Sequence, residues 1–224
     1  MTSPLDDHDA PLVGSRTLLN PVELHKAVSH IGRQINEHYG EQELTVVAVL
    51  HGAIVFTADL IRELRMPVRL ETVTASSYRK DARRPGDLVV RMEEKQHLRG
   101  RHVLLVDDIL DTGNTLSRLR EDIAAFEPAS LRIAVLLDKP SRRETDVTAD
   151  FAGHEIPDLF VVGYGLDLDG RYRNLPQILA LQAEGSDAGA SDTALGKVRA
   201  QSSSSSIGAG SVTKSRQPAA DDGA

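Results

Sequence analysis

Along this chain the apolar residues change period several times, and each change marks an element. The stretch "PVELHKAVSHIGRQINEHYG" sets Val22, Ala27, Val28, Ile31 and Ile35 near helical spacing and ends at Gly40, which predicts a helix stopped by a glycine. "LTVVAVL" (44–50) is a continuous apolar run, as expected of a strand buried on both faces, and "AIVFTADLIREL" after it predicts a second helix. "VRLETVTASSY" reads as a strand, "RKDARRPGDLVVRM" as a polar hairpin or lid, and "RHVLLVD" as another buried strand. "NTLSRLREDIAAF" predicts a helix stopped by Pro128; "LRIAVLLD" and "LFVVGYG" predict two further strands. Buried strands alternating with helices predict an α/β fold built on a parallel sheet. Ligands of such sheets sit beyond the carboxyl ends of the strands.

Composition bounds the rest. In 224 residues with 40% hydrophobic side chains there is enough apolar surface for one generous core. The pattern places that domain at 17–182, between a loose N-terminus (1–16) and a tail (183–224). The tail is rich in Ala, Gly, Ser and Asp and has too few large apolar groups to offset the entropy of ordering, so disorder is expected there. A formal charge of −7 argues against a nucleic-acid surface, and any phosphate chemistry must be local. The absence of cysteine excludes disulfides and thiolate metal sites. No run approaches the ~20 apolar residues of a membrane span, and "MTSPLDDHDAPLVGSR" lacks the features of a signal segment, so a cytoplasmic life without membrane contact is expected.

The candidate chemistry is concentrated in "VLLVDDILDTGNTL", Val103 to Leu116. Here an apolar strand runs into Asp107 and Asp108, then Asp111, then a turn from Thr112 to Thr115 that opens a helix. Successive backbone amides, two hydroxyls and a helix N-terminus favour a phosphate group, and Gly113 permits close backbone approach. Two carboxylates beside a phosphate repel it unless they hold a divalent cation or accept hydrogen bonds from sugar hydroxyls. A phosphorylated sugar satisfies both halves. The plain structural alternative makes Asp111 or Thr112 a helix cap and leaves the acid pair incidental. The eight histidines show no ligand spacing and read as surface residues. "LDLDGRYRN" lacks the later ligands of a calcium loop.

"VLLVDDILDTGNTL" resembles the phosphoribosyl-pyrophosphate motif of the type I phosphoribosyltransferases, and the acid at Asp111 resembles the 6-oxopurine branch, the hypoxanthine-guanine phosphoribosyltransferases. "VLHGAIVFTADLIREL", "SSY", "LLDKP" and "LFVVGYGLDLDGRYRNLPQI" extend the resemblance over 18–182. It implies a parallel sheet with helices on both faces and a small C-terminal hood. It also implies transfer of phosphoribosyl from phosphoribosyl pyrophosphate to hypoxanthine or guanine, with Mg²⁺ as cofactor and a dimer or tetramer as the assembly. By the same resemblance Asp107 and Asp108 meet ribose and magnesium, while Asp111, Thr112, Gly113, Asn114 and Thr115 cradle the 5′-phosphate. Asp111 also takes the proton from purine N7. Lys139, Phe160, Val161 and Asp167 surround the base, and Asp167 binds a second magnesium. His51, Gly52 and Arg173 meet pyrophosphate, and Ser77 with Tyr78 belongs to a flexible closing loop.

The chain departs from the family at two places. His51 stands where many members have lysine, in a loop that carries a cis peptide after its leucine, and Asp107 stands for the more frequent Glu. Two rival readings stay open from the sequence: a xanthine-directed transferase, and a non-catalytic sensor of phosphoribosyl pyrophosphate. Retention of Asp111, Lys139, Phe160 and Arg173 together favours a catalyst.

Overall fold

The computed structural model describes residues 12, 14–76, 89–92 and 95–181. The expected tail, most of the expected loose N-terminus, and Ser77 with Tyr78 lie outside the described residues; Arg16 already belongs to a strand.

Helix α1 (Pro21–Tyr39) starts where the chain supplies a full cap. Asn20 Oδ1 accepts from the amides of Val22 and Glu23 at 2.9 and 3.0 Å, and the Glu23 carboxylate accepts from the Asn20 amide at 2.9 Å. Leu24, Ala27, Val28, Ile31 and Ile35 form its buried stripe. Leu24 opens that stripe in place of the expected Val22, which is 63% exposed. The reason is angular: Leu24 lies three positions before Ala27, on the same face, and Val22 lies five before it, off that face.

The main sheet collects β2 (Leu44–Leu50), β3 (Val68–Ser76), β4 (Val89–Met92), β5 (His102–Leu110), β6 (Ser130–Asp138) and β7 (Phe151–Glu155) in the order β4-β3-β2-β5-β6-β7. From β3 to β7 every neighbour is parallel, and only β4 runs antiparallel, as the hairpin partner of β3. Helix α2 (Ile54–Glu63) joins β2 to β3, and α3 (Asn114–Ala124) joins β5 to β6. Alternation along the central strands sorts the core onto two faces. Val46, Leu104, Val106, Ala134 and Leu136 pack with α1 and α2, whereas Val47, Leu105, Ile133 and Val135 pack with α3 residues Leu116, Leu119 and Ile123. Full burial of such a side chain contributes roughly 1.5–3 kcal/mol, so both layers are strongly held.

A second, antiparallel sheet forms the hood, in the order β1-β9-β8, from β1 (Arg16–Leu19), β8 (Phe160–Val162) and β9 (Ile178–Leu181). The expected strand over "LFVVGYG" is therefore cut short. Gly163, Tyr164 and Gly165 all have positive φ (98°, 52° and 102°) and turn the chain away. The hood is also less C-terminal than expected, since β1 supplies its far edge.

Candidate active site

Strand β5 carries its chemistry inside the strand rather than after it: pairing with β6 continues past Asp107 to Leu110. Asp107 is buried and Asp108 half-buried. Asp107 Oδ1 accepts from the Asp108 amide at 3.0 Å, and Asp108 Oδ1 accepts from the Ile109 amide at 2.8 Å. Burial, and next the neighbouring Asp108 charge, push the Asp107 carboxyl well above the usual carboxylate range. Burial raises Asp108 as well, against the opposing pull of its hydrogen bonds and of the Arg173 charge.

Over this pair lies the turn that follows β2, where the Leu50–His51 peptide is cis, as the resemblance implied. A Cβ on Gly52 would fall 1.8 Å from Asp108 Oδ2, so only glycine fits against that acid. His51 is exposed. The hood reaches the same turn, because the Cβ position of Gly165 falls 2.2 Å from the Gly52 carbonyl oxygen. Arg173 is anchored in the hood by donating to the Gly165 carbonyl at 2.5 Å and by an ion pair with Asp167 Oδ1 at 2.7 Å. Asp167 also accepts from the Gly170 amide at 2.7 Å.

After Leu110 the chain turns through Asp111 and Thr112 to Gly113, which sits at φ 88° as the N-cap of α3. Gly113 has no side chain to offer and no acid stands in the first turn; Thr112 Oγ1 makes a long contact, accepting from the Asn114 amide at 3.4 Å. The helix-cap alternative for Asp111 is thus not what the fold uses. A cavity of about 270 Å³ opens here, lined by Leu50, Gly52, Asp107, Asp108, Asp111, Thr112, Gly113 and Thr115. Asn114, expected among the phosphate ligands, instead donates from Nδ2 to Glu144 Oε2 at 3.0 Å and does not line the cavity.

Asp111 faces two cations. Lys139, only 5% exposed at the end of β6, places Nζ 4.0 Å from Asp111 Oδ2. Arg142 Nε lies 3.2 Å from Oδ1 but out of line, so that buried oxygen has a charge beside it and no hydrogen-bond donor. Phe160 is 54% exposed at the start of β8, where a merely structural phenylalanine would be buried; Val161 next to it is buried. Two histidines correct the expectation of surface positions. His102 is half-buried against Ser130, and His154 is half-buried beneath α1 with an unpartnered Nε2 and a pKa lowered chiefly by burial.

Comparison with known proteins decides what this arrangement belongs to. A phosphoribosyl transferase domain model matches residues 16–169. The chain is 44% identical over 163 residues to hypoxanthine phosphoribosyltransferase of Salmonella typhimurium, covering 72% of this chain and 92% of that protein. It is 38% identical over 167 residues to hypoxanthine-guanine phosphoribosyltransferase of Bacillus subtilis, covering 75% and 93%. The chain belongs to the hypoxanthine-guanine phosphoribosyltransferase family. A crystal structure of a member from Bacillus anthracis, with a HEPES molecule in its active site, superposes with a TM-score of 0.69 at 37% identity, covering 75% of this chain and 98% of that one.

Within this phosphoribosyltransferase, two charged neighbours of Asp111 escaped the sequence reading. Arg142 and Arg143 follow the strand-end lysine in "LLDKPSRRE", and a charged doublet in a loop reads as solvated surface. The one signal available was position: both come within four residues of Lys139, beyond the carboxyl end of a predicted strand.

Proposed function

We propose that the enzyme forms inosine or guanosine monophosphate from hypoxanthine or guanine and phosphoribosyl pyrophosphate, releasing pyrophosphate. The observation that carries this reading is the juxtaposition of Lys139 and Asp111, with Nζ and Oδ2 4.0 Å apart. A 6-oxopurine presents O6 and N7 side by side on one edge. Lys139 donates to O6, and Asp111, whose Oδ1 has no hydrogen-bond donor, accepts from N7–H. Adenine presents an amino donor where Lys139 also donates, and leaves that buried ammonium without an acceptor. Exposed Phe160 supplies a stacking face for the base, worth roughly 0.5–1.5 kcal/mol beyond its area.

In the reaction the purine N9 forms a bond to the anomeric carbon as the bond from that carbon to the pyrophosphate oxygen breaks. The N7 proton passes to Asp111. The amides and hydroxyls from Thr112 to Thr115 hold the 5′-phosphate, so the sugar is oriented before its charge develops. Gly52 and Arg173 receive the departing pyrophosphate.

Mg²⁺ fits the acid pair. Two adjacent carboxylates, one buried and one half-buried beside the cavity, fit the approach of a cation, and no three metal-ligating side chains converge among the described residues. That suits an ion bound through one or two carboxylates plus substrate oxygens. Asp107 and Asp108 would hold it, and bound there it neutralises the polyphosphate. Asp167, engaged by Arg173, would hold a second ion.

A panel of hypoxanthine, guanine, xanthine and adenine with phosphoribosyl pyrophosphate and Mg²⁺, scored by pyrophosphate release, tests the reading. Hypoxanthine or guanine should exceed adenine by about 10²-fold or more in kcat/KM. Comparable turnover of adenine would overturn it.

A further inference from the structure

Behind the phosphate turn, outside the cavity, Arg143 is engaged on every side. Its side chain is 16% exposed. Nε donates to the Asp111 carbonyl at 3.0 Å, one terminal nitrogen to the Val147 carbonyl at 2.5 Å, and the other to the Leu110 carbonyl at 3.2 Å and to the Asp138 carboxylate. A planar guanidinium fork meets this divergent set of acceptors; a lysine ammonium, a point donor on a flexible stem, cannot.

The acceptors belong to two different working parts. Leu110 and Asp111 lead into the phosphate turn, and Asp138 immediately precedes Lys139, whose own amide donates to the Leu110 carbonyl at 2.9 Å. The same loop reinforces the arrangement, with the Glu144 amide donating to the Thr112 carbonyl at 2.9 Å. Gly113 presses against it, since a Cβ there would meet Thr145 Oγ1 at 2.3 Å. Carbonyls held from behind fix the peptide planes of the turn.

We propose that Arg143 is the positioning residue that locks the phosphate turn to the base-reading strand end, so that Asp111, Lys139 and the turn amides act as one preorganised unit. The proposal rests on the phosphoribosyl-transfer reading above for its kinetic consequence, but its geometric consequence needs no turnover. The guanidinium touches no reacting atom. It acts through the backbone it holds.

The test compares Arg143→Met and Arg143→Lys with the wild-type full chain. In both variants amide hydrogen exchange over Asp111–Leu116 should accelerate by about tenfold or more while α1 stays at wild-type rates. The value of kcat/KM for phosphoribosyl pyrophosphate should fall by about 10²-fold, the penalty of a slightly misplaced site, with KM carrying part of the loss. Arg143→Lys keeps the charge beside Asp138 and should melt closer to wild type than Arg143→Met, yet it should not rescue turnover. If Arg143→Met fails to fold, Arg143→Lys decides alone. Unchanged exchange over the turn, or Arg143→Lys turnover within about threefold of wild type, would overturn the assignment. A wild-type chain inactive on every base would sink the functional reading instead, and exchange would still judge Arg143.

Discussion

Helix α1 begins with the amides of Val22 and Glu23 held by Asn20 and with an acid in its first turn, whereas α3 begins at left-handed Gly113 with no first-turn acid and only one long contact, from the Asn114 amide to Thr112 Oγ1 at 3.4 Å. Helix α2, which follows the Gly52 turn, resembles α3: its N-cap is Ala53, with no side-chain hydrogen bond and no first-turn acid. All three need their first amides satisfied. The difference separates two purposes. A capped start serves the core and needs nothing from outside. An uncapped start at the carboxyl end of a central strand leaves donors and a positive dipole end to a phosphorylated ligand.

The largest effect is expected at the acid that stands in the turn before α3 without capping it. Asp111→Asn keeps the size and the capping ability of the side chain but cannot accept a proton, so turnover should fall by about 10²–10³-fold with phosphoribosyl-pyrophosphate affinity little changed. Single-turnover kinetics measures this. A chemical step near the wild-type rate would make Asp111 structural after all and blur the contrast with α1.

Next comes Gly113 itself. Alanine there pays the left-handed penalty of roughly 1–2 kcal/mol, and its Cβ meets Thr145 and Val147 at 2.3 and 2.6 Å. We expect the KM for phosphoribosyl pyrophosphate to rise about tenfold, in line with 1.4 kcal/mol per decade. An unchanged KM in steady-state assays would show that the turn tolerates a shift and does not act as the cradle.

Asp107→Asn tests the cost of the acid pair. The native carboxyl has its pKa raised above the ordinary value of 3.8. Between those two values the native state binds more protons than the unfolded one, so stability falls as pH rises through that window. The neutral variant should therefore melt higher than wild type near pH 7 without Mg²⁺, by about 2–4 °C for each kcal/mol recovered, and should show a flatter pH dependence. Melting curves from pH 4 to 8 measure both. A variant that melts lower would mean that the pair stabilises the empty fold.

The smallest effect should come from the capped helix. Asn20→Ala is expected to cost about 1 kcal/mol, or about 2–4 °C, with kcat and both KM values unchanged. A KM shift without a stability change would place α1 in the binding machinery and break the comparison.

Much of this architecture was legible because it rests on period. The runs at 44–50 and 131–138 are dominated by Val, Leu, Ile and Ala, and β2 and β6 appear there almost residue for residue. The acids of β5 and the turn after them stood out by their chemistry, since no core strand needs Asp107 and Asp108 with Asp111 just beyond. What escaped has a different physical origin. Strands β1, β7 and β9 span only four or five residues, and "FAGHE" carries a glycine and two polar groups, so no period develops. Phe160 has apolar neighbours, so its 54% exposure leaves no trace in the pattern, and its place beside the base came only from the resemblance. Arg143 was invisible because its partners are backbone carbonyls, which leave no trace in residue identity.

The hood pairs Arg16 with Ala180, near the two ends of the described chain. During synthesis at about 5–20 residues per second, the parallel sheet and the phosphate turn emerge first, while β1 waits without its neighbour. Only when Ile178–Leu181 has left the ribosome is that partner at hand. Arg173 precedes this strand and is carried by the hood loop, so the groups proposed to meet the leaving group are completed after those proposed to meet the sugar. A nascent chain stalled before Ile178 would carry an assembled cradle under an unfinished roof, an arrangement with slow, long-range closure as its last folding step.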